Sequence, residues 1–308
     1  MKPLLLRLHR WAALLFALPL LAVIVTGLIL SFEPVAVMSA IKPGSLTPDT
    51  ITAALAKHDP QGQARAVGFR SYENTLTLGA GRGGGIRVDA ATGDARTGGG
   101  RLADLMQTSR RLHETLLLDA TWLVITSTVA MLVLSVLGIL MGWPRLANTV
   151  SGWHKGMAWG LLPLLILSPL TGLFLAMGVT FTSPPPRPAQ VAEQAPPLKL
   201  ADAVKIAGAK HDLSGLVWLR PQRGSMMMRI VEGGEYRVYV VTPQGTTPTA
   251  RNWPRLWHEG NFAGIASTIP NILTSLASLG LLVTGIWIWA RRKLRPRNRS
   301  HEPLPSSA

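Results

Sequence analysis

Four stretches of the chain are almost wholly apolar, and polar residues are pushed into the segments between them. The stretches cover residues 11–32, 121–143 with a first turn reaching back to 116, 157–181 and 262–290. Each meets the roughly 20 apolar residues that a helix needs to cross a bilayer. Pro19, Pro163, Pro169 and Pro270 fall inside them, where membrane helices accept proline and kink. The pattern predicts four transmembrane helices. A cleaved signal peptide is the alternative for the first, because Lys2, Arg7 and Arg10 precede it. Its apolar stretch exceeds the roughly 7–15 residues of a signal core.

Between the runs, alternation replaces continuous apolarity. Residues 34–110 predict a helix at 48–58, strands at 66–69, 75–78 and 86–88, and a Gly-rich hairpin at 79–85. Residues 182–256 open on a Pro-rich stretch at 184–197. They then predict a helix at 200–210 and strands at 216–220, 226–231 and 236–241. Each segment reads as a small α+β module of one helix and a meander, too small to be an enzyme by itself. Met226, Met227 and Met228 invite a copper reading. Consecutive strand residues face opposite ways, which favours packing instead.

The expected order is helix 1 (1–33), module 1 (34–110), helix 2 (111–143), a short loop (144–156), helix 3 (157–181), module 2 (182–256), helix 4 (257–290) and a basic tail (291–308). Charge orients it. The 308 residues carry 31 Lys and Arg against 16 Asp and Glu. Cations crowd the N-terminus, the short loop (Arg145, Lys155) and the tail from Arg291 to Arg299. By the positive-inside rule these face the cytoplasm, leaving both modules in the periplasm of a multi-pass inner-membrane protein. The net charge thus reports topology rather than nucleic-acid binding.

The chain has no cysteine. That excludes disulfides, thiolate nucleophiles, cysteine-held iron–sulfur clusters and haem attached through C-x-x-C-H. Residues 79–84 fit G-x-G-x-x-G in letters only, because they lie in the Gly-rich hairpin without a following strand-to-helix phosphate cradle. With no Walker A, H-E-x-x-H or G-x-S-x-G motif either, the chain shows no flavin or nicotinamide domain of its own.

A repeat reorganises the picture. His9 and His154 are 145 residues apart, as are Thr26-Gly27 and Thr171-Gly172, and His113-Glu114 and His258-Glu259. The modules share Ala-Lys-His-Asp at 56–59 and 209–212, and GILMGWPR at 138–145 resembles GIWIWARR at 285–292. The expected fold is an integral-membrane four-helix bundle built from a duplicated two-helix unit. Its halves would be related by a pseudo-twofold axis along the membrane normal.

Such an axis carries His9 onto His154 and His113 onto His258, placing one pair near each face. Opposed imidazoles in an apolar surround suit six-coordinate haem b, the porphyrin supplying four ligands and two histidines the axial pair. Zinc or copper is served worse by two ligands per layer. The competing reading leaves the histidines in the headgroup zone, half solvated. Arg110, Arg111 and Arg255 beside the outer pair, and Arg7, Arg10, Arg145 and Lys155 beside the inner one, suit haem propionates or lipid headgroups equally. His58 and His211 recur in the modules and read as solvated helix ends, with a role at an external site as the alternative.

LHRWAALLFALPLLAVIVTGLIL, RRLHETLLL, WHKGMAWG with TGLFL, and LWHEGNFAG with GIWIWARR together resemble the PepSY-associated transmembrane helix family. The resemblance covers nearly the whole chain. It implies PepSY-like periplasmic domains and two b-type haems per chain with His9, His113, His154 and His258 as axial ligands. Members include inner-membrane reductases of the ferrioxamine reductase type. The expected activity is therefore a dihaem reductase carrying electrons from a cytoplasmic reductant or membrane quinol to a periplasmic acceptor, foremost a ferric siderophore. The alternatives are a non-enzymatic membrane protein whose modules bind a peptide or protein partner, and a metal transporter. The transporter is disfavoured because the spans hold no Asp or Glu.

Overall fold

The computed structural model describes residues 2–81, 84–117, 119–144, 146–182, 198–222 and 224–294. The Pro-rich stretch at 184–197, Arg145, and the tail from 295 with His301 lie outside the described residues. Three helical segments are long and apolar enough to cross a membrane: Ala17–Ala40, Thr121–Leu140 and Ile265–Leu294. A bent pair, Val150–Gly160 with Leu162–Ala176, turns by 63° and makes a fourth candidate span if counted as one.

α1 (Lys2–Leu15) precedes the first segment, which is made of α2 (Ala17–Leu30) and α3 (Glu33–Ala40). The bent pair breaks 145 residues after the break between α1 and α2. Phe16 separates α1 from α2 with φ −96° and ψ 8°, and Leu161 separates the bent helices with φ −110° and ψ 14°. Pro19 and Pro163 follow within three residues. Each lacks the N–H that would bond the carbonyl four residues back, so the ladder loosens where the axis turns. Leu18, Val133, Val136, Val283 and Trp287 stand exposed on these helices, as side chains facing hydrocarbon would.

The polar segments fold together. α4 (Pro48–His58) starts where Thr47 accepts the Thr50 N–H and proline occupies the first turn. β1 (Ala66–Arg70), β2 (Thr75–Gly81), β3 (Gly84–Asp89) and β4 (Ala95–Arg96) form a meander. The second segment supplies its counterpart, with β5 (Leu216–Gln222), β6 (Ser225–Glu232), β7 (Glu235–Thr242) and β8 (Gly245–Pro248). The expected strands are all present, with β4 and β8 in addition.

One expectation is corrected: the two modules are not separate. β1 and β5 pair antiparallel through Val67–Leu219 and Gly68–Trp218, making one eight-stranded sheet of order β4-β3-β2-β1-β5-β6-β7-β8. Ile51 on α4, Val67, Leu76, Leu219, Met228 and Ile230 join a single buried core with the helix at 200–208. Each meander alone would leave an unpaired edge strand and an open apolar face. Joining the edges satisfies both, which is why neither half stands by itself. Met228 and Met226 face this core, while Met227 takes the opposite face of the strand.

A second correction concerns where the spans begin. α5 (Arg101–Thr115) ends at Leu116, which adopts φ 52°, and Leu117 and Asp119 follow at φ 62° and 50°. α6 (Thr121–Leu140) is therefore a new helix, and residues 111–115 belong to the helix before it. α7 (Val150–Gly160) and α8 (Leu162–Ala176) form the bent pair, so His154 lies on a helix rather than in a loop. α9 (Leu200–Gly208) packs beside α4. α10 (Trp253–Glu259) stops at Gly260 with φ 64°, and α11 (Ile269–Leu294) begins only after a short 3-10 turn, so 257–259 are not part of the last span.

Contacts between the helices come in matched sets. α1 packs on α6 as α7 packs on α11, and α2 on α5 as α8 on α10. α2 also crosses to α11, as α8 crosses to α6. The sheet rests on the α10 side of this bundle, where the Tyr236 N–H bonds the Asn261 carbonyl and the Gly264 N–H bonds that of Gly234.

Candidate functional site

His113 and His258 meet at the sheet end of the bundle. Their ring centroids are 6.0 Å apart with planes inclined by 45°. An iron bound by two imidazole nitrogens at about 2 Å each needs ring centroids roughly 6 Å apart. Neither histidine sits on a span. His113 lies in the last turn of α5 and His258 in that of α10, and both reach sideways to helices of the bundle.

What holds each ring is the same in both halves. His113 Nδ1 is 3.0 Å from the Val23 carbonyl and 3.2 Å from Thr26 Oγ1. His258 Nδ1 is 3.1 Å from the Ser168 carbonyl and 3.3 Å from Thr171 Oγ1. A carbonyl can only accept. Each threonine hydroxyl already donates to its own helix, at 2.6 Å to Ala22 and 2.8 Å to Leu167. Both Nδ1 atoms are therefore the donors, which fixes the Nδ1–H tautomer and leaves the Nε2 lone pair for a metal. Orienting a ligating histidine through its other nitrogen is how such ligands are kept in register.

The glycine after each threonine makes room for the ring. A Cβ at Gly27 would lie 3.2 Å from His113 Cε1, and one at Gly172 only 2.8 Å from His258 Cε1. The repeated Thr-Gly pair is thus one device: the threonine and its helix hold the nitrogen, and the glycine admits the carbon edge.

The other pair is built less evenly. His154 Nδ1 donates to Thr284 Oγ1 at 2.8 Å, because that hydroxyl is itself committed to the Gly280 carbonyl at 2.6 Å. Gly285 follows Thr284, and a Cβ there would be 3.5 Å from His154 Cε1. In the first half, Leu137 and Gly138 take the places of Thr284 and Gly285. His9 Nδ1 accordingly faces the Leu134 carbonyl outside hydrogen-bonding geometry and is buried without a partner. His9 and His154 are within electrostatic range, but their rings do not meet as those of the other pair do.

Above the His113–His258 pair lies a layer of charge. Glu259 binds Arg229 from β6, Arg255 at 2.9 Å and the Asn261 side-chain amide at 2.7 Å. Arg229 also lies over the Tyr236 ring at 4.7 Å. Arg110 pairs with Glu33. Arg110 and Arg255, expected beside this pair, are therefore engaged with carboxylates of the chain itself. Burial pushes the Tyr72 hydroxyl up to about 12, with Glu33 adding to the shift.

Burial alone would raise the Glu259 carboxyl, but Arg229 and Arg255 outweigh it and hold it at about 2. Its unfolded value is about 4.3. The ionised group therefore stabilises the sheet-to-helix contact above that pH, and the contribution is lost as pH falls through about 2. Arg229→Gln removes one of the holding charges. Acid release of the sheet, followed by Trp257 fluorescence, should then begin at higher pH than in the wild type. An unchanged midpoint would mean that Arg255 alone holds the carboxylate.

The external histidines are placed apart from both pairs. His58 Nε2 is 2.9 Å from the Gly93 carbonyl. His211 bridges Glu232 at 2.5 Å and Thr246 at 2.8 Å. No group of three or more His, Cys, Asp or Glu positioned for a metal occurs among the described residues, so the candidate sites are the two-histidine layers.

Paired imidazoles at the head of an apolar helical bundle, capped by one β-sheet, mark the candidate site of a membrane protein. The chain belongs to the PepSY-associated TM region family, whose profile matches residues 6–292. A comparison with curated proteins returns no match.

Proposed function

We propose that the protein is a membrane reductase with two b haems per chain, held by His113 with His258 and by His9 with His154. The observation that carries this is the outer pair: two Nε2 lone pairs, 6.0 Å between ring centroids, with each opposite nitrogen tied to a backbone carbonyl. Haem b, when bound, supplies one-electron chemistry without needing any further protein ligand.

The chain's own residues do the rest. The Val23 and Ser168 carbonyls with Thr26 and Thr171 keep both outer imidazoles neutral and facing one another. Gly27 and Gly172 let them approach. The sheet, through Arg229 and Glu259, covers this layer and limits water at it. The matched helix contacts and the equivalent breaks at Phe16 and Leu161 support a duplicated bundle with a pseudo-twofold axis. Under the positive-inside rule the sheet stands in the periplasm and the basic termini in the cytoplasm of an inner membrane.

Two histidine layers at opposite ends of the spans suit electron passage across the bilayer. Electrons would enter from a cytoplasmic reductant or the quinol pool and leave on the sheet side. The acceptor class we favour is a ferric siderophore, whose iron is reduced from Fe3+ to Fe2+ and released. Of the sheet's two halves, residues 182–255 carry ten Lys and Arg against five Asp and Glu, which favours an anionic complex.

The test is a dithionite-reduced minus oxidised spectrum of the detergent-purified protein with a pyridine haemochrome assay. About two b haems per chain are expected. Absence of haem after expression with ample haem supply would sink the reading.

A further inference from the structure

The end of the bundle away from the sheet holds a feature that the redox reading does not use. A cavity of about 260 Å³ opens between the first turn of α7 and the last turns of α11. Thr149, Ser151, Arg291 and Arg292 line its polar side, and Trp287 and Ile288 its apolar side. Charge here is one-sided. Residues 1–32, 120–181 and 260–301 contain no Asp or Glu, so no carboxylate of these segments can balance the two guanidiniums. Arg291 and Arg292 make no ion pair among the described residues.

The donors among these lining residues suit an anion. Thr149 Oγ1 accepts the Gly152 N–H at 3.1 Å, which leaves its own hydrogen free to donate. Ser151 adds a second hydroxyl. The apolar wall continues away from the cavity along α11, where Trp287, Val283 and Leu276 are 59%, 56% and 49% exposed. These residues are spaced four and seven apart and so form one ridge. A polar, cationic floor with an apolar ridge rising from it fits an amphiphile that has an anionic head and a long chain. It does not fit a small polar anion alone.

We propose that this cavity binds the phosphate headgroup of an anionic phospholipid, with an acyl chain lying along the Leu276–Val283–Trp287 ridge. Basic pockets between membrane helices recognise such headgroups. Val150 and Ile288, which also line the cavity, stand one helical turn from His154 and Thr284. The lipid therefore clamps α7 to α11 next to the hydrogen bond that orients His154. The proposal does not depend on haem being the ligand of that histidine.

The experiment compares lipid retained by the full-length protein after purification in mild detergent, read by native mass spectrometry. Wild type should keep phosphatidylglycerol or cardiolipin. Arg291→Gln/Arg292→Gln should weaken that binding roughly thirtyfold. Lys2→Gln/Arg7→Gln, which removes the same charge from the same end, should leave it unchanged. Equal loss in both double variants would reduce the effect to general surface charge and overturn the site. Delipidated wild type provides a second readout that needs no variant to fold. Mixed micelles with phosphatidylglycerol should raise its melting temperature, and phosphatidylcholine micelles or inorganic phosphate should not. An equal rise with inorganic phosphate would make this a small-anion site and overturn the lipid assignment.

Discussion

His258→Ala and His113→Ala are each expected to lower the haem content of the purified protein from about two per chain to about one. His9→Ala and His154→Ala should remove the other one. The combination His9→Ala with His258→Ala should leave none. The physical reason is that in this reading each layer offers two imidazoles, and the described residues hold no group of three His, Cys, Asp or Glu to replace one, so removing either would leave the haem half held. Because His113 and His258 act on one site, the double variant at those two positions should lose no more than either single one. External imidazole should restore part of the low-spin spectrum in His258→Ala, which a mere folding defect would not allow. If His113→Ala and His258→Ala removed different haems, the pairing across the bundle would be wrong.

The second large effect is steric and graded. A methyl at Gly172 would stand 2.8 Å from His258 Cε1, too close for any real Cβ contact, and one at Gly27 3.2 Å from His113 Cε1. At Gly285 the distance to His154 Cε1 is 3.5 Å, an ordinary contact. Gly172→Ala must therefore turn the imidazole away from the Ser168 carbonyl or part α8 from α10. Loss of such an orienting contact typically costs about 10- to 100-fold in ligand-site affinity. Haem titration of the apoprotein should show Gly172→Ala weakened by that order, Gly27→Ala weakened less, and Gly285→Ala unchanged. A deficit in Gly285→Ala equal to that in Gly172→Ala would show that the effect does not come from the fit of the ring, since Gly→Ala by itself favours the helix.

Much of this site was written in the chain. The equal spacing of 145 residues between histidines and between Thr-Gly pairs marks equivalent positions in the two halves, of which His113 and His258 meet. It did not show that the two kinds of position touch each other. Val23 and Ser168 contribute only backbone carbonyls, and a carbonyl leaves no trace in residue identity. Gly285 opens the loosely repeated stretch at 285–292, but Thr284 lies just outside it, and its partner position holds Leu137.

The ends of the helices were misread for a related reason. Gly260 gives an audible stop after α10, but Leu116, Leu117 and Asp119 carry the corresponding turn with no glycine at all. Leucines in the left-handed region adopt it against their own preference, and nothing in their identity announces it. A pattern that weighs only apolarity therefore runs α5 into α6. The same limit applies to the modules. Alternation showed that β1 and β5 were strands, but any strand edge can pair with any other, and which edges meet is decided by what else must be covered.

By itself the sequence determined the apolar spans, the strands, the repeat and the four histidines. All of these follow from periodicity and spacing, which are local properties of the chain. Only the tertiary structure decided which nitrogen each outer histidine turns toward its neighbouring helix. It also decided that the two meanders share one sheet, and that Arg291 and Arg292 frame a cavity with the start of α7. Those outcomes depend on groups far apart in the chain competing for the same hydrogen bonds, edges and counter-charges, and no single segment contains that competition.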